Sequence, residues 1–284
     1  MSQSINLAKN IIFFYHQNCR DGFTAAWAAW KKFGSRATYI PMRHNDPVPK
    51  NLINKEIYFL DITYIGKNLE RIIKQNKRVV IIDHHVTIKD ELQKVHAHSY
   101  ALNHSGATLA WKFFHKTKTP RFLKYVEEGD LWKIKSPHAK EILASIESKP
   151  FNFKVWDGIV KEIENPKTRG KYIEIGKSIL EYEDKIIAKL SKNMETAIFE
   201  TQRVGVINSP ILESQLGNAI YKGKYKIGLV WHRRNGEIKV SLRSKNGDKT
   251  NVAKLAQKYG GGGHKAAAGF TLADGVKLPW KYIK

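Results

Sequence analysis

The stretch Arg78-Val-Val-Ile-Ile-Asp-His-His85 decides the fold, because it runs from an apolar segment directly into three ionisable side chains. Its β-branched residues predict a strand that is buried on both faces, as in a parallel sheet. A carboxylate and two imidazoles in a row are costly to bury unless they are paired or bind metal. Taken alone, the triplet could also be a helix cap followed by two surface histidines.

Two further apolar runs end in the same way. Ile11–Tyr15 leads into a polar loop, and Ile57–Leu60 leads directly into Asp61. The polar loop carries His16, Cys19 and Asp21. Helical patterns over 22–32 and 67–75 separate the runs, as in an α/β fold with a parallel, Rossmann-like sheet. Ligands of such sheets bind beyond the carboxyl ends of the strands, so these side chains are expected to converge in one crevice.

The remainder of the chain predicts two further regions. Helices are expected at 119–128 and 140–148, a break at 165–170, and a long amphipathic helix over 171–200. Strands at 203–207, 225–231 and 238–242, with helices near 213–221 and 251–258, predict a smaller mixed α/β domain. We therefore predict three regions, namely a catalytic domain at 1–165, a helical connector at 166–201 and a substrate-binding domain at 202–284.

Charge is the strongest compositional signal. The 284 residues carry a net charge of +23, and residues 203–284 hold 16 Lys and Arg against 4 Asp and Glu. This surplus favours a polyanionic partner such as nucleic acid or polyphosphate, although a generally lysine-rich proteome would also explain it. A single cysteine excludes an intrachain disulfide and a multi-cysteine zinc site. No apolar run approaches the roughly 20 residues that span a bilayer, so no membrane association and a cytoplasmic location are expected. The oligomeric state stays open.

The mixture of donors points to divalent metal chemistry. Asp130, in the segment Glu127-Glu-Gly-Asp-Leu-Trp132, adds another acid to those at the strand ends. Carboxylates mixed with imidazoles suit Mn²⁺ better than Ca²⁺ or structural Zn²⁺. Two such ions about 3.5–4 Å apart can activate a water and stabilise an in-line displacement at phosphorus.

These motifs, taken in order, resemble those of the DHH phosphoesterase superfamily, which includes RecJ-type exonucleases, nanoRNases, cyclic-dinucleotide phosphodiesterases, exopolyphosphatases and family II pyrophosphatases. The matching segments cover nearly the whole chain: His16-Gln-Asn-Cys-Arg-Asp-Gly22, Phe59-Leu-Asp61, Ile82-Asp-His-His85, Gly129-Asp130, Val240-Ser-Leu-Arg-Ser244 and Gly260-Gly-Gly-Gly-His264. The last two resemble the DHH-associated substrate domain.

The resemblance implies a metal-ligand set. One Mn²⁺ would be held by Asp21, Asp61, His84 and Asp130. The second would be held by His16 and Asp61, with Asp61 bridging the two ions, and Mg²⁺, Co²⁺ or Fe²⁺ could replace manganese.

The resemblance also implies catalytic and substrate-binding roles. Asp83 would orient a neighbouring histidine, and His85 would contact the scissile phosphate or protonate the leaving oxygen. Arg243 would bind a non-scissile phosphate. The remaining phosphate contacts would come from the glycine-rich motif, that is from Gly261, Gly262, Gly263 and His264.

One departure from the family pattern concerns Cys19, which stands where much of the family has a metal-binding aspartate. A thiolate there would favour a softer metal, whereas a protonated thiol would leave the second site weak.

Ser105 is predicted to cap a helix whose end could also meet phosphate, with capping alone the simpler interpretation. Arg43-His44 could line the crevice, although a surface loop is the simpler interpretation. Trp27, Trp30 and Trp111 are interpreted as core residues.

The sequence therefore predicts a metal-dependent hydrolase that acts on nucleotides or short oligonucleotides. The runner-up is an exopolyphosphatase or pyrophosphatase-like hydrolase, because no convincing base-stacking aromatic is evident in the C-terminal part. The third hypothesis is a catalytically silent nucleic-acid-binding protein. The many costly ionisable groups argue against that third hypothesis.

Overall fold

The computed structural model describes residues 7–44, 46–245, 247 and 249–283. The chain divides into two compact units, the first ending at Ile179 and the second running from Leu180 to Lys284. The division falls inside the long helix Pro166–Ser191. The predicted domain boundaries at 165/166 and 201/202 remain predictions.

A five-stranded, all-parallel sheet forms the centre of the first unit, with the strand order β2-β1-β3-β4-β5. Its strands are β1 Ile11–His16, β2 Ala37–Met42, β3 Glu56–Leu60, β4 Arg78–Asp83 and β5 Ala97–Tyr100. Phe13, Leu60 and Ile82 pack into one apolar cluster, whereas Phe14 and Ile81 pack into a second. Both faces of the sheet are therefore covered, which explains why β1, β3 and β4 are apolar without alternation.

Seven helices accompany this sheet in the described part of the chain, most of them between β5 and the second unit. They are α1 Arg20–Phe33, α2 Gly66–Gln75, α3 Gly106–Phe114, α4 Arg121–Asp130, α5 Ala139–Glu147, α6 Phe153–Glu164 and α7 Pro166–Ser191. Short 3-10 segments lie at 34–36 and 86–94. Trp27 and Trp111 are buried and stacked on each other, and Trp30 packs on Phe153, which confirms their interpretation as core residues. No helix of the described residues is both long enough and apolar enough to cross a bilayer.

The second unit is built on a seven-stranded sheet with the order β10-β11-β9-β8-β7-β6-β12. Its elements are β6 Glu195–Phe199, β7 Gln202–Asn208, α8 Glu213–Lys222, β8 Ile227–Arg234, β9 Glu237–Ser244, α9 Val252–Gln257, β10 Gly262–His264, β11 Ala267–Ala273 and β12 Trp280–Ile283. Only β7 and β8 pair in parallel, through the crossover helix α8, and the other pairs are antiparallel. The mixed α/β prediction for this region is confirmed.

The predicted course of the connector was wrong at both ends. The expected break at 165–170 lies in α7, because Pro166 is the first helical residue, where the missing N–H of proline is harmless. The Asn165 side chain accepts a hydrogen bond from the backbone N–H of Lys167 and so caps this end. The helix does not reach Glu200, since 195–199 pair with β7 and β12 as a strand. The sequence pattern also missed β5, α6, β10, β11 and β12.

Glycine at position 176 sets how closely α7 approaches α5. A methyl group added there would meet the Glu141 carbonyl oxygen at 1.7 Å, and that atom belongs to the backbone and cannot easily move. Gly170, in the same helix, has nothing within 4 Å of the equivalent position.

This pair gives a matched test of helix packing. We expect Gly176→Ala to lower the free energy of unfolding by about 1–3 kcal/mol, because the added methyl overpacks the interface. Gly170→Ala should raise it by about 0.5–1 kcal/mol, because alanine favours the helix. Urea unfolding followed by circular dichroism measures both changes, and equal effects would contradict the packing argument.

Candidate metal centre

His84, directly after β4, lies among three carboxylates from three other segments of the chain. Its Nε2 atom is 3.3 Å from Asp61 Oδ1, 3.4 Å from Asp130 Oδ2 and 3.9 Å from Asp21 Oδ2. Asp61 follows β3, Asp21 lies in the first turn of α1, and Asp130 ends α4. The structure therefore brings together the four side chains that the sequence places at strand and helix ends.

A second set of donors adjoins the first through Asp61. Asp61 Oδ2 lies 3.5 Å from His16 Nδ1 and accepts a hydrogen bond from the Cys19 thiol at 3.4 Å. The ligand atoms of these three residues all lie within 4.8 Å of one another. Asp61 thus presents one oxygen to each set, as a carboxylate that bridges two ions would.

Helix α3 positions Asp21. Its two carboxylate oxygens accept hydrogen bonds from the backbone N–H groups of Gly106, at 2.7 Å, and Ala107, at 3.0 Å. A helix N-terminus carries unsatisfied N–H groups and a partial positive charge, so it holds a carboxylate firmly. The packing of α1 against α3 therefore fixes the orientation of this acid.

Backbone geometry also constrains Asp61. Its φ of +58° lies in the left-handed region, which is uncommon for residues other than glycine. Gly106 makes room for it, because an added methyl there would lie 2.8 Å from Asp61 Cβ and 2.9 Å from Asp21 Oδ2. Strained conformations of this kind persist where the surrounding structure enforces them, and they cluster at functional sites.

Burial and mutual repulsion shift the pKa values of the ionisable groups in this cluster. Burial, followed by the charge of Asp61, raises the pKa of Asp21 and brings that of Asp130 to about 6. Burial also acts to raise the pKa of Asp61, but its close contacts with the His16 and His84 rings and the charge of His85 hold it below its usual range. Burial lowers the pKa of His84, yet the bond to Asp61 and the charges of Asp130, Asp61 and Asp21 raise it to about 9.

Asp83 holds the second histidine of the triplet. Its Oδ1 accepts hydrogen bonds from the backbone N–H groups of His84, at 2.6 Å, and His85, at 2.9 Å, and lies 2.7 Å from His85 Nδ1. Burial lowers the pKa of His85, but the hydrogen bond and charge of Asp83 outweigh it and raise this pKa to about 10. At neutral pH His85 is therefore a cation with a fixed ring.

The donor set fits divalent ions. Asp130 Oδ2 and His16 Nδ1 are buried, and within the described residues neither makes a hydrogen bond of good geometry. Ligand atoms at right angles around an ion with bonds of about 2.1 Å lie roughly 3 Å apart, close to the spacings around His84. An ion would neutralise the carboxylates and replace these imperfect contacts.

In the second unit, one rung of the sheet carries the predicted phosphate contacts. Arg243 on β9 is paired with Ala267 on β11, and Ala267 is paired with His264 on β10. Directly paired residues point to the same face, so Arg243 and His264 share a face with only a methyl group between them. The Arg243 guanidinium donates to Ser241 Oγ, Leu242 O and Ser214 Oγ, at 3.0, 2.9 and 2.5 Å.

The glycines before His264 have a structural role that their sequence did not reveal. Gly262 and Gly263 belong to β10 rather than to a flexible loop. Added methyl groups would lie 2.1 Å from the Gly269 carbonyl oxygen at Gly261 and 2.6 Å from the Ala267 carbonyl oxygen at Gly263. Close backbone pairing therefore accounts for both glycines, and phosphate binding by this segment remains a prediction.

Comparison with known proteins finds one matching domain family and two related proteins. Residues 211–279 match the DHHA1 domain family. The chain is 24% identical to oligoribonuclease NrnB of Bacillus subtilis (strain 168) over 55% of its own length and 40% of the length of NrnB. The chain is therefore similar to a DHHA1 domain over residues 211–279, and it resembles an oligoribonuclease over about half of its length. It is also 28% identical to uncharacterized protein R106 of Acanthamoeba polyphaga mimivirus, across 100% of this chain and 75% of that protein.

The fold of this protein also matches solved structures. RecJ from Thermus thermophilus, solved in complex with Mn²⁺, superposes with a TM-score of 0.51 at 14% identity. The superposition covers 95% of this chain and 50% of RecJ. At this identity the likeness is one of fold.

The structure also places Ser105 and His44, the two weaker candidates from the sequence. Ser105 is fully buried and its hydroxyl accepts from the Thr108 N–H, which confirms the predicted cap of α3. Its side chain also hydrogen-bonds Asp21, and a phosphate contact of Ser105 remains a prediction. The N-terminus of that helix is already occupied by Asp21. His44 is exposed in the turn after β2, as a surface-loop residue would be, and its ring centroid lies 5.4 Å from that of His16.

The Cys19 side chain is a protonated thiol beside Asp61. Burial, followed by the charges of Asp61 and Asp21, raises its pKa well above the ordinary value. The protonated sulfur is the donor in the hydrogen bond to Asp61. Because Sγ also lies within the second donor set, a bound cation would favour its deprotonation.

Gly106 provides a test of the site that leaves every donor in place. We expect Gly106→Ala to weaken divalent-ion binding by about 10- to 100-fold, because the added methyl displaces Asp21 and Asp61. Calorimetric titration with Mn²⁺ and Mg²⁺ measures this. Gly158→Ala, in α6 with open space around it, is the control and should bind as wild type. Equal affinities for the two variants would show that Gly106 does not position the acids.

Proposed function

We propose that this protein is a divalent-metal-dependent phosphodiesterase that hydrolyses short oligonucleotides or nucleotides. One observation carries the proposal, namely that His84 Nε2 lies 3.3, 3.4 and 3.9 Å from carboxylates of three separate segments. Burying so many ionisable groups together has a large electrostatic cost, which a cation site explains. The similarity to an oligoribonuclease supports short RNA as the substrate class.

The two donor sets would hold two ions. Asp21, Asp61, His84 and Asp130 would hold one, and His16 and Asp61 the other, with Cys19 Sγ within reach of the second. Divalent ions supply a water of lowered pKa as nucleophile and neutralise charge on phosphoryl oxygens. The solved Mn²⁺ complex of RecJ supports manganese as one of the ions to test.

His85 would act on the scissile phosphate. Because Asp83 engages Nδ1, the ring is fixed in one orientation, and Nε2 is the nitrogen that would face the substrate. An imidazolium with a pKa of about 10 donates a hydrogen bond to a phosphoryl oxygen and can pass a proton to the leaving oxygen. Asp83 would be a positioning residue in this scheme.

The second unit would bind other phosphates of the substrate. Arg243 is half-buried and its guanidinium is fixed by three hydrogen bonds, so it is pre-organised for an anion. His264 lies on the same rung of the sheet. An open groove of about 730 Å³, lined by Arg203, Lys224 and Lys226 among others, adds to the positive surface of this unit.

Removing either central donor tests the catalytic proposal. We expect Asp61→Asn or His84→Ala to reduce Mn²⁺-dependent release of mononucleotides from labelled dinucleotides by more than about 100-fold. Asp90→Asn removes an exposed carboxylate outside the cluster and should leave turnover unchanged. Near-normal turnover in a folded Asp61→Asn or His84→Ala protein would overturn the mechanism.

The same assay, extended to other phosphate compounds, tests the substrate class. The panel contains pAp, cyclic dinucleotides, pyrophosphate and polyphosphate alongside RNA and DNA dinucleotides. Phosphate release from polyphosphate without cleavage of dinucleotides would replace the nucleotide proposal with an exopolyphosphatase. Metal-independent binding of long polymers without any turnover would identify a silent binding protein.

The pKa shifts predict how metal binding depends on pH. An ion needs neutral His84, whose metal-free pKa is about 9, and ionised Asp130, whose pKa is about 6. Binding at neutral pH therefore releases a proton from His84, and Asp21, whose pKa burial raises, must also be ionised. Affinity should fall by at least about tenfold per unit as pH drops from about 8.5 to 6.5, then more steeply below 6. Calorimetry in buffers of different ionisation enthalpy measures the released protons, and a pH-independent affinity would contradict the prediction.

A further inference from the structure

Helix α4 ends in a conformation that its sequence disfavours. Trp132 has a φ of +53°, and its backbone N–H donates to the Gly129 carbonyl while that of Lys133 donates to the Glu128 carbonyl. These two bonds define a helix-terminating motif whose left-handed position is usually glycine. A bulky aromatic residue with positive φ is a true outlier, so the fold gains nothing from placing tryptophan there.

The ring of Trp132 is also exposed. It is 48% accessible, whereas the other six tryptophans of the chain are buried or partly buried in apolar packing. Core formation therefore accounts for those six residues but leaves Trp132 unexplained. An exposed tryptophan on a strained backbone position is a candidate for ligand contact.

The loop that carries Trp132 is pinned on its other side. The buried carboxylate of Glu128 accepts hydrogen bonds from the backbone N–H groups of Lys135 and Ser136, at 2.9 and 2.7 Å, and from the Ser136 hydroxyl at 2.7 Å. Residues 131–136 are thus held between the end of the helix and its own side chain. A ring presented from such a loop loses little conformational entropy when it binds a partner.

The position of Trp132 relative to the metal centre suggests the partner. Asp130 Oδ2 lies 3.4 Å from His84 Nε2, and two residues span at most about 7.6 Å between α-carbons. A nucleoside attached to a phosphate at the cluster therefore comes within reach of the ring. Aromatic side chains stack on bases of any sequence, because every base presents a π-face.

We propose that Trp132 stacks on a nucleobase of the substrate and so selects nucleotides over inorganic phosphate chains. This inference rests on the proposed function, because it assigns the substrate class of the same site. It places the base-stacking residue in the first unit, whereas the sequence of 202–284 offered no convincing candidate.

The test uses a dinucleotide that carries 2-aminopurine and a methylene group in place of the bridging oxygen, so that it binds without being cleaved. Trp132→Asn removes the ring and keeps the turn, because asparagine tolerates left-handed backbone. Trp132→Tyr retains an aromatic plane. Tyr182→Ala removes another exposed aromatic residue, on α7, as the matched control.

We expect wild type to quench the 2-aminopurine, and Trp132→Asn to bind the analogue about 5- to 150-fold more weakly with loss of quenching. Trp132→Tyr should recover most of the affinity, and Tyr182→Ala should equal wild type. The affinity for Mn²⁺, measured by calorimetry without a nucleotide, should not change in Trp132→Asn, which also shows that this variant is folded.

The outcomes separate this inference from the proposed function. Equal binding of the analogue by wild type and Trp132→Asn overturns the stacking role even if wild type cleaves dinucleotides. Weakened binding by Trp132→Asn supports stacking even if wild type shows no cleavage, in which case the hydrolase proposal fails alone. A wild type that hydrolyses tripolyphosphate but neither binds nor cleaves dinucleotides overturns both the nucleotide substrate and the stacking role.

Discussion

The crowding of carboxylates around His84 is the constraint on which the first unit depends. Asp21, Asp61 and Asp130 are brought together in a region from which water is largely excluded, where like charges repel strongly. Each acid is held by a different element, so none can relax without moving a strand or a helix. The parallel sheet, the α1–α3 contact and the end of α4 all serve to hold these charges in place, and charge compensation by metal is the simplest physical reason for the arrangement.

Much of the first unit was predictable because its signals are local. Strands β1, β3 and β4 are continuous apolar runs, and the polar residues that follow them had to meet at one edge of a parallel sheet. Strand β5, Ala97–Tyr100, escaped detection because this short edge strand carries His98 and Ser99 and has no apolar run. In the second unit β12 pairs with β6 across about 80 residues of sequence, and no local pattern encodes such a pairing.

The finer geometry of the site could not be predicted for the same reason. The chemistry of Asp21, Asp61 and His84 was evident from residue type and position. The hydrogen bonds from α3 to Asp21 and the left-handed backbone of Asp61 arise only when distant segments pack. Gly106 illustrates this limit. Its sequence position after Ser105 gives no sign of a special role, but in the structure Asp21 and Asp61 lie so close that no side chain larger than hydrogen fits there.

The rung that carries Arg243 and His264 has a consequence for ligand dimensions. Backbone hydrogen bonds fix the distance between neighbouring strands. The α-carbons of Arg243 and His264, which lie two strands apart, are therefore separated by about 10 Å whatever the side chains are. A molecule that engages both residues must spread its negative charges over a comparable length. If both residues bind phosphate, the strand spacing would favour extended anions over a lone orthophosphate, and the backbone sets that spacing.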